Sequence, residues 1–237
     1  MTSKDILSSA EAARRLSFKR GYAREAMSLA RKKPADVPDI FLKIREIRPS
    51  LKARIRLIKQ IKKMPGVITG SYASSGTVRV VYREVVAMQT QHEEQELFAE
   101  NVLLYSVVIA ETTRTTRSLQ IARVSLNYHA IERLIERSDC EIGPGFLELI
   151  DQEANHILKE LARDEPITHN EDEFIRSSYC GVWAGSIDAS RPDPEWFAGE
   201  ADQKAPIFSV RTFLSPDEMH PYIWMKWNDG AALKPAK

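Results

Sequence analysis

A helical alternation of apolar and polar residues dominates the first part of the chain. Between residues 50 and 64 the apolar positions recur every three or four residues, at Leu51, Ile55, Ile58 and Ile61. Most of the positions between them are Lys or Arg. An apolar stripe of this spacing on a charged background predicts an amphipathic helix that begins after Ser50.

Two further helices are predicted ahead of this one. Ser8 or Ser9 is the expected cap of the first, because a hydroxyl accepts a hydrogen bond from the unpaired amides of a first turn. Gly21 is expected to divide that region into two short helices. Asp39 is the expected cap of the second helix. We therefore predict a helical segment at residues 1–66, followed by a separate domain at residues 67–237.

From Val67 onward the pattern becomes that of a β-sheet, with runs rich in β-branched and aromatic residues. The predicted strands cover residues 77–88, 102–110, 119–125, 177–188 and 206–215. The polar stretch at 92–101 is expected to be a turn or a short helix. Two helices are predicted at 127–138 and 144–165. This order favours an α+β domain with a mainly antiparallel sheet of about five strands and helices packed on one face.

Charge is distributed unevenly along the chain. Residues 1–64 hold 18 of the 34 Lys and Arg residues but only 6 of the 33 Asp and Glu residues. The basic segment is expected either to lie against its own acidic domain or to bind an external anionic partner such as RNA or DNA. The residues predicted to contact nucleic acid are Arg14, Arg15, Lys19, Arg20, Arg24, Arg54, Arg56, Lys59, Lys62 and Lys63.

Several functional classes find no support in the sequence. No apolar run reaches the roughly 20 residues needed to span a bilayer, and the first residues lack the apolar core of a secretory signal. Cys140 and Cys180 are the only cysteines, and their spacing matches neither a structural zinc site nor a disulfide framework. No phosphate-binding loop or dinucleotide motif is present. We therefore expect a cytoplasmic protein without a metal or other cofactor.

The predicted helix at 127–138 carries the best candidate for catalytic chemistry. At about 100° per residue, Arg133 and Arg137 lie roughly 40° and 80° from His129 around an ideal helix. A histidine exchanges protons near neutral pH, and guanidinium groups hold and neutralise a phosphate. Metal-independent RNA cleavage needs both functions, with His129 as the acid/base group and the arginines as a clamp. The simpler interpretation is a solvated helix face on which His129 has no role.

The motif H-A-x-x-R-x-x-x-R at residues 129–137, followed by V-R-T-F-L-S at 210–215, resembles those of barnase-, colicin- and RelE-type toxin ribonucleases and related families. In these families a helix packs against an antiparallel sheet, and late strands supply polar groups that face the RNA. The resemblance implies a ribonuclease in which Arg211 and Thr212 support His129. It covers two short stretches of the chain, and the minimal toxins have no counterpart of the N-terminal helices.

Two kinds of partner follow from this resemblance. The basic segment would either grip RNA or be covered by an antitoxin-like protein. The loop around Trp196 is a second candidate for a protein contact, because its Pro and Asp neighbours predict an exposed excursion. The competing hypothesis is a non-catalytic module that binds nucleic acid or protein through the basic N-terminal helices, in which His129 has no role.

Overall fold

The computed structural model describes residues 9–47, 50–73, 75–92, 95–112, 117–163, 165–190 and 205–232. In chain order the elements are α1 (Ser9–Lys32), α2 (Val37–Arg45), α3 (Leu51–Ile61), β1 (Val67–Tyr72), β2 (Thr77–His92), β3 (Gln95–Thr112), β4 (Arg117–Leu126), α4 (Tyr128–Arg137), α5 (Phe146–Arg163), β5 (Ile167–His169), β6 (Asp172–Arg176), β7 (Val182–Ser190), β8 (Ala205–Leu214), a 3-10 helix (Pro216–Glu218) and α6 (Pro221–Ala232). The predicted α+β class is confirmed.

Eight strands form the sheet, in the order β1-β2-β3-β4-β8-β7-β6-β5. The pairs β1–β2, β2–β3, β5–β6 and β6–β7 are antiparallel. The prediction of about five strands is wrong because it missed β1, β5 and β6, which are short and lack a long β-branched run. The turn or short helix predicted at 92–101 is also wrong, since β3 already begins at Gln95, opposite His92.

Two predicted helix boundaries are wrong for simple reasons. The helix α1 continues through Gly21, which costs a long helix only about 1 kcal/mol relative to alanine. The cap of α2 is Asp36, whose side chain accepts a hydrogen bond of 3.0 Å from the backbone N of Asp39. Pro38 lies in the first turn of α2. A backbone N–H at this position has no hydrogen-bond partner within the helix, so the N–H that proline lacks is not needed there.

The chain divides into two compact units. Unit 1 comprises residues 1–28, 126–187 and 209–237, and unit 2 comprises residues 29–125 and 188–208. Residue 66, the predicted end of the basic segment, lies inside unit 2. The basic helices are therefore shared between the two units.

The core of unit 2 lies between its helices and one face of its strands. Val78, Val80 and Tyr82 of β2 alternate along the strand, so all three point to this face, and each is at most 1% exposed. The helix residues that pack in this core are Val37, Ile40, Phe41, Ile44, Leu57, Ile58 and Ile61. Gly66, with a φ of +69°, lets the chain turn into β1, because a Cβ there would lie 2.5 Å from the backbone N of Ala35.

In unit 1 helices lie on both faces of the strands. Val182 and Ala184 of β7 pack in a core with Ile223 of α6. Trp183 points to the opposite face, where its indole nitrogen donates to Glu153 of α5. The prediction that the helices pack on one face is therefore wrong. The physical reason is that β7 has consecutive apolar residues, the pattern of a strand that is buried on both sides.

Candidate functional site

The helix predicted at 127–138 is present as α4, and its local sequence explains where it begins. The Asn127 side chain accepts a hydrogen bond of 2.8 Å from the backbone N of Ala130, as expected of a cap. The residues of its apolar face that are fully buried are Ala130, Ile131, Leu134 and Ile135. His129 is exposed, and Arg133 and Arg137 are partly exposed. The structure therefore places the three candidate catalytic side chains on the polar side of α4.

Arg133 is held by neighbours on the same helix. Its Nη1 donates to Oε2 of Glu136 at 2.7 Å, and its Nε lies 3.4 Å from Nε2 of His129. Nζ of Lys19 is 2.9 Å from the same Glu136 oxygen. Burial raises the pKa of Glu136, but the hydrogen bonds and charges of Lys19 and Arg133 outweigh it, so the pKa lies below its ordinary value. Part of the positive charge predicted to hold a phosphate is thus neutralised within the protein.

Arg137 has two partners further along the chain. Its Nη1 donates to the carbonyl oxygen of Phe213 at 2.7 Å, and its Nη2 is 2.8 Å from Oε1 of Glu218. Burial lowers the pKa of Arg137, although the Glu218 carboxylate acts in the opposite direction. The guanidinium of Arg137 therefore connects the end of β8 and the 3-10 helix to α4. This role is structural.

Arg211 and Thr212 are adjacent on β8, so their side chains point to opposite faces of the sheet. Arg211 forms an ion pair with Asp172 and lies 3.3 Å from the carbonyl oxygen of Gly185. The Thr212 hydroxyl is 3.5 Å from the carbonyl oxygen of Phe213, a long contact for a hydrogen bond. Neither side chain has a described contact with His129.

Two of the basic residues of α1 that were predicted to bind nucleic acid, Arg15 and Lys19, form contacts inside unit 1. Arg15 is 6% exposed and donates to the carbonyl oxygens of Ser138 and Cys140, each at 2.8 Å. Lys19 pairs with Glu136, as described above. Arg14 is exposed and lies 3.4 Å from Glu11. These contacts account for Arg15 and Lys19, whereas Arg20 and Arg24 are exposed.

The third helix presents a different surface. Lys52, Arg56, Lys59 and Lys63 line a groove of about 310 Å³ on its outer side, together with Ile55 and Gln60. We call this surface the α3 groove. No Asp or Glu occurs between residues 51 and 64. In the described part of the chain, the side chains of these four cations form no ion pair or hydrogen bond.

Two of the other basic residues predicted on this helix differ in exposure. Arg54 is 6% exposed and its Nη1 donates to the carbonyl oxygen of Ala73 at 3.2 Å. Arg54 therefore supports the turn after β1 and is not a surface cation. Lys62 is exposed and adds to the positive charge beside the α3 groove.

A buried carboxylate that we did not predict lies at the centre of unit 1. Glu153 is 1% exposed. It accepts hydrogen bonds from the Ser177 hydroxyl at 2.5 Å, from the backbone N of Ser178 at 3.1 Å and from Nε1 of Trp183 at 2.7 Å. The Ser178 hydroxyl is a further donor. The available sequence signal was an acidic residue on the apolar stripe of α5, between Ile150 and Ile157.

A second feature that we did not predict is a cleft of about 430 Å³ at the start of α5, which we call the Tyr179 cleft. Tyr179, Leu149, Glu141, Glu148 and Gln152 line it, with the backbone of the loop at 143–145. Burial raises the pKa of Tyr179, and the nearby acidic groups Cys140, Glu153, Asp139 and Glu141 raise it further. The lining therefore combines aromatic and aliphatic side chains with two carboxylates and one amide.

The late aromatic residues fall into two groups. Trp183 is fully buried, with its ring edge-on to Phe213 at 5.1 Å between centroids. Trp224 is 39% exposed. Trp196, the residue predicted to mark a protein-contact loop, lies outside the described residues.

Two negative findings apply to the described residues alone. Within residues 9–232, the gaps noted above excepted, no group of three or more His, Cys, Asp or Glu side chains is placed to hold a metal ion. Over the same residues, no helix combines the length and apolarity that crossing a membrane would require.

Comparisons with protein-family models, with curated proteins and with solved structures found no match. The resemblance to toxin ribonucleases therefore stays a prediction from the residues quoted above.

Proposed function

We propose that the protein binds nucleic acid through the α3 groove. The observation that carries this proposal is the set of four cations on one side of α3, Lys52, Arg56, Lys59 and Lys63, with no internal partner among the described residues. Basic residues elsewhere in the N-terminal helices, such as Arg15 and Lys19, are already paired within unit 1. The α3 groove is thus a surface on which several unpaired cations lie together and can meet a partner.

The spacing of these cations suits a phosphate backbone. At a rise of about 1.5 Å per residue, Lys52, Arg56 and Lys59 are separated by roughly 6 and 4.5 Å along the axis. Long Lys and Arg side chains reach phosphates over such distances, and binding releases the counterions that surround a nucleic acid. No base-reading motif is evident in the groove, so we expect recognition of the backbone with little sequence preference.

A salt titration tests the proposal. Fluorescence anisotropy would measure the Kd of the full chain for a labelled single strand and a labelled duplex at several salt concentrations. A contact to four phosphates predicts a slope of log K against log salt of about −2.8 for a single strand and −3.6 for a duplex. The groove variant carries Lys52→Gln, Arg56→Gln, Lys59→Gln and Lys63→Gln. The control variant carries Lys32→Gln, Lys33→Gln, Lys159→Gln and Lys226→Gln, at four exposed positions.

The two variants lose the same charge, so net charge alone predicts equal effects. We expect the groove variant to lose most of the affinity and most of the salt slope, while the control retains both. If the groove variant binds with the affinity and slope of the original chain, the groove is a solvated face and the proposal is wrong.

Catalysis is a separate question from binding. The ribonuclease hypothesis needs His129 and Arg133 to act on RNA, although Arg133 is paired with Glu136 and Arg137 with Glu218. RNA integrity in EDTA would be compared for the original chain, His129→Ala and Arg133→Ala. Cleavage that disappears in both variants would support a ribonuclease. RNA that stays intact with the original chain, or cleavage by all three proteins alike, would contradict the ribonuclease hypothesis. Nucleic-acid binding would then be the only proposed function that remains.

A further inference from the structure

We propose that the Tyr179 cleft binds a small organic cation that carries more than one alkylammonium group. The cleft is independent of the α3 groove, since all of its residues belong to unit 1. Its volume of about 430 Å³ falls within the range of ordinary small-molecule sites. A single ammonium ion would occupy only a small part of it.

The lining has the chemistry of a site for organic cations. Tyr179 and Leu149 supply an aromatic ring and an aliphatic surface for a methylene chain, and the electron-rich face of a phenol ring attracts an ammonium group. Glu141, Glu148 and Gln152 supply oxygen acceptors. The lining contains no Lys, Arg or His.

The two carboxylates in the lining are available to a ligand. Across the described residues, neither Glu141 nor Glu148 forms an ion pair or a side-chain hydrogen bond, and the Tyr179 hydroxyl has no hydrogen-bond partner. The phenol is half-buried and lies near the acidic side chains of Asp139, Glu141 and Glu153. Unpaired carboxylates beside a tyrosine ring and a leucine side chain favour a ligand that brings both positive charge and apolar length.

A metal ion is a poorer fit than an organic cation. A divalent ion needs several oxygen ligands at one point, and among the residues that the structure describes no such group of donors converges. Glu141 precedes and Glu148 follows the loop at 143–145 in the sequence, and both line the cleft. Two carboxylates in one cleft suit a ligand that carries two positive charges, such as a polyamine.

Calorimetric titration of the full chain with spermidine at low salt tests the proposal. The neutral chain 1,8-octanediol and the singly charged N-acetyl-lysine amide are the comparison ligands. We expect spermidine to bind, the diol to show no binding and the lysine derivative to bind at least tenfold more weakly, since it has one ammonium group. Tighter binding of the lysine derivative would overturn the proposal in favour of a protein side chain as the ligand.

Four variants locate the site. Glu141→Gln with Glu148→Gln removes both carboxylates and keeps their size, and we expect about tenfold weaker binding of spermidine. Glu165→Gln makes the same type of change at an exposed residue beyond the far end of α5, and we expect no change. Tyr179→Leu removes the ring, and Tyr179→Phe keeps it. Absent binding by the original chain, or equal losses in the Glu165 control and the double variant, would show that the cleft is not the site.

Discussion

Replacement of Glu153 should be among the most destabilising single changes in unit 1. Its carboxylate is 1% exposed and accepts hydrogen bonds from Ser177, Ser178 and Trp183. Glu153→Leu keeps a side chain of similar volume and removes every acceptor. The indole N–H of Trp183 is then left without its partner in the interior, whereas the backbone N–H of Ser178, at an exposed residue, can turn to water.

The expected cost follows from the donors that lose their partner. A buried donor that loses its partner costs about 1–3 kcal/mol, and the indole N–H of the fully buried Trp183 is such a donor. The donors of Ser177 and Ser178 are only partly buried and cost less, because water can replace the carboxylate. Relief from burying a carboxylate offsets part of this loss. We therefore expect Glu153→Leu to lower the free energy of unfolding by about 2–3 kcal/mol. At about 2–4 °C per kcal/mol, Tm falls by roughly 5–10 °C.

Glu153→Gln is the matched control. Its amide oxygen can take the place of Oε1, which accepts from Ser177, Ser178 and Trp183. Its amide nitrogen can donate to the Ser178 hydroxyl. The shape and most hydrogen bonds survive, so we expect a loss of about 1 kcal/mol from the weaker, uncharged hydrogen bonds.

Urea unfolding followed by tryptophan fluorescence measures these effects. Of the four tryptophans, Trp183, Trp224 and Trp227 belong to unit 1, so the signal reports mainly on that unit. The reasoning predicts that the Leu variant is much less stable than the Gln variant. Equal stability of the two variants, or a Leu variant as stable as the original chain, would refute the view that Glu153 is held in place by its donors.

Four further substitutions test other parts of unit 1. Gly181→Ala should cost about 2–3 kcal/mol, because its Cβ would overlap the Phe213 ring. Gly21→Ala in an exposed part of α1 should instead gain up to about 1 kcal/mol, and thermal melts compare the two. Arg15→Met should lower Tm by roughly 10 °C, since it leaves carbonyl oxygens unpaired in the interior. The pKa of Glu136 is lowered in the folded protein. Its contribution to stability is therefore present above its unfolded pKa and is lost as the pH falls through the folded pKa. Between pH 6 and 3, the urea midpoint of Glu136→Gln should fall less steeply than that of the original chain.

The local features of this fold were readable in the sequence. The apolar stripe of α4 and its Asn127 cap depend on neighbours three or four residues away, and both were predicted. The β-branched runs of β2 and β3 likewise predicted strands. Short elements with mixed composition, such as β5 and β6, were missed, because only their pairing with a longer strand stabilises them.

The use of each charged side chain was decided by the tertiary structure. In the sequence, Arg15 and Arg56 are both basic residues on amphipathic helices. The fold buries Arg15 against carbonyl oxygens more than 120 residues away and leaves Arg56 in the α3 groove. Helical periodicity tells which residues share a face but not what that face meets. Partners distant in the chain therefore determine whether a cation is structural or available for binding, and the same long-range packing created the Tyr179 cleft.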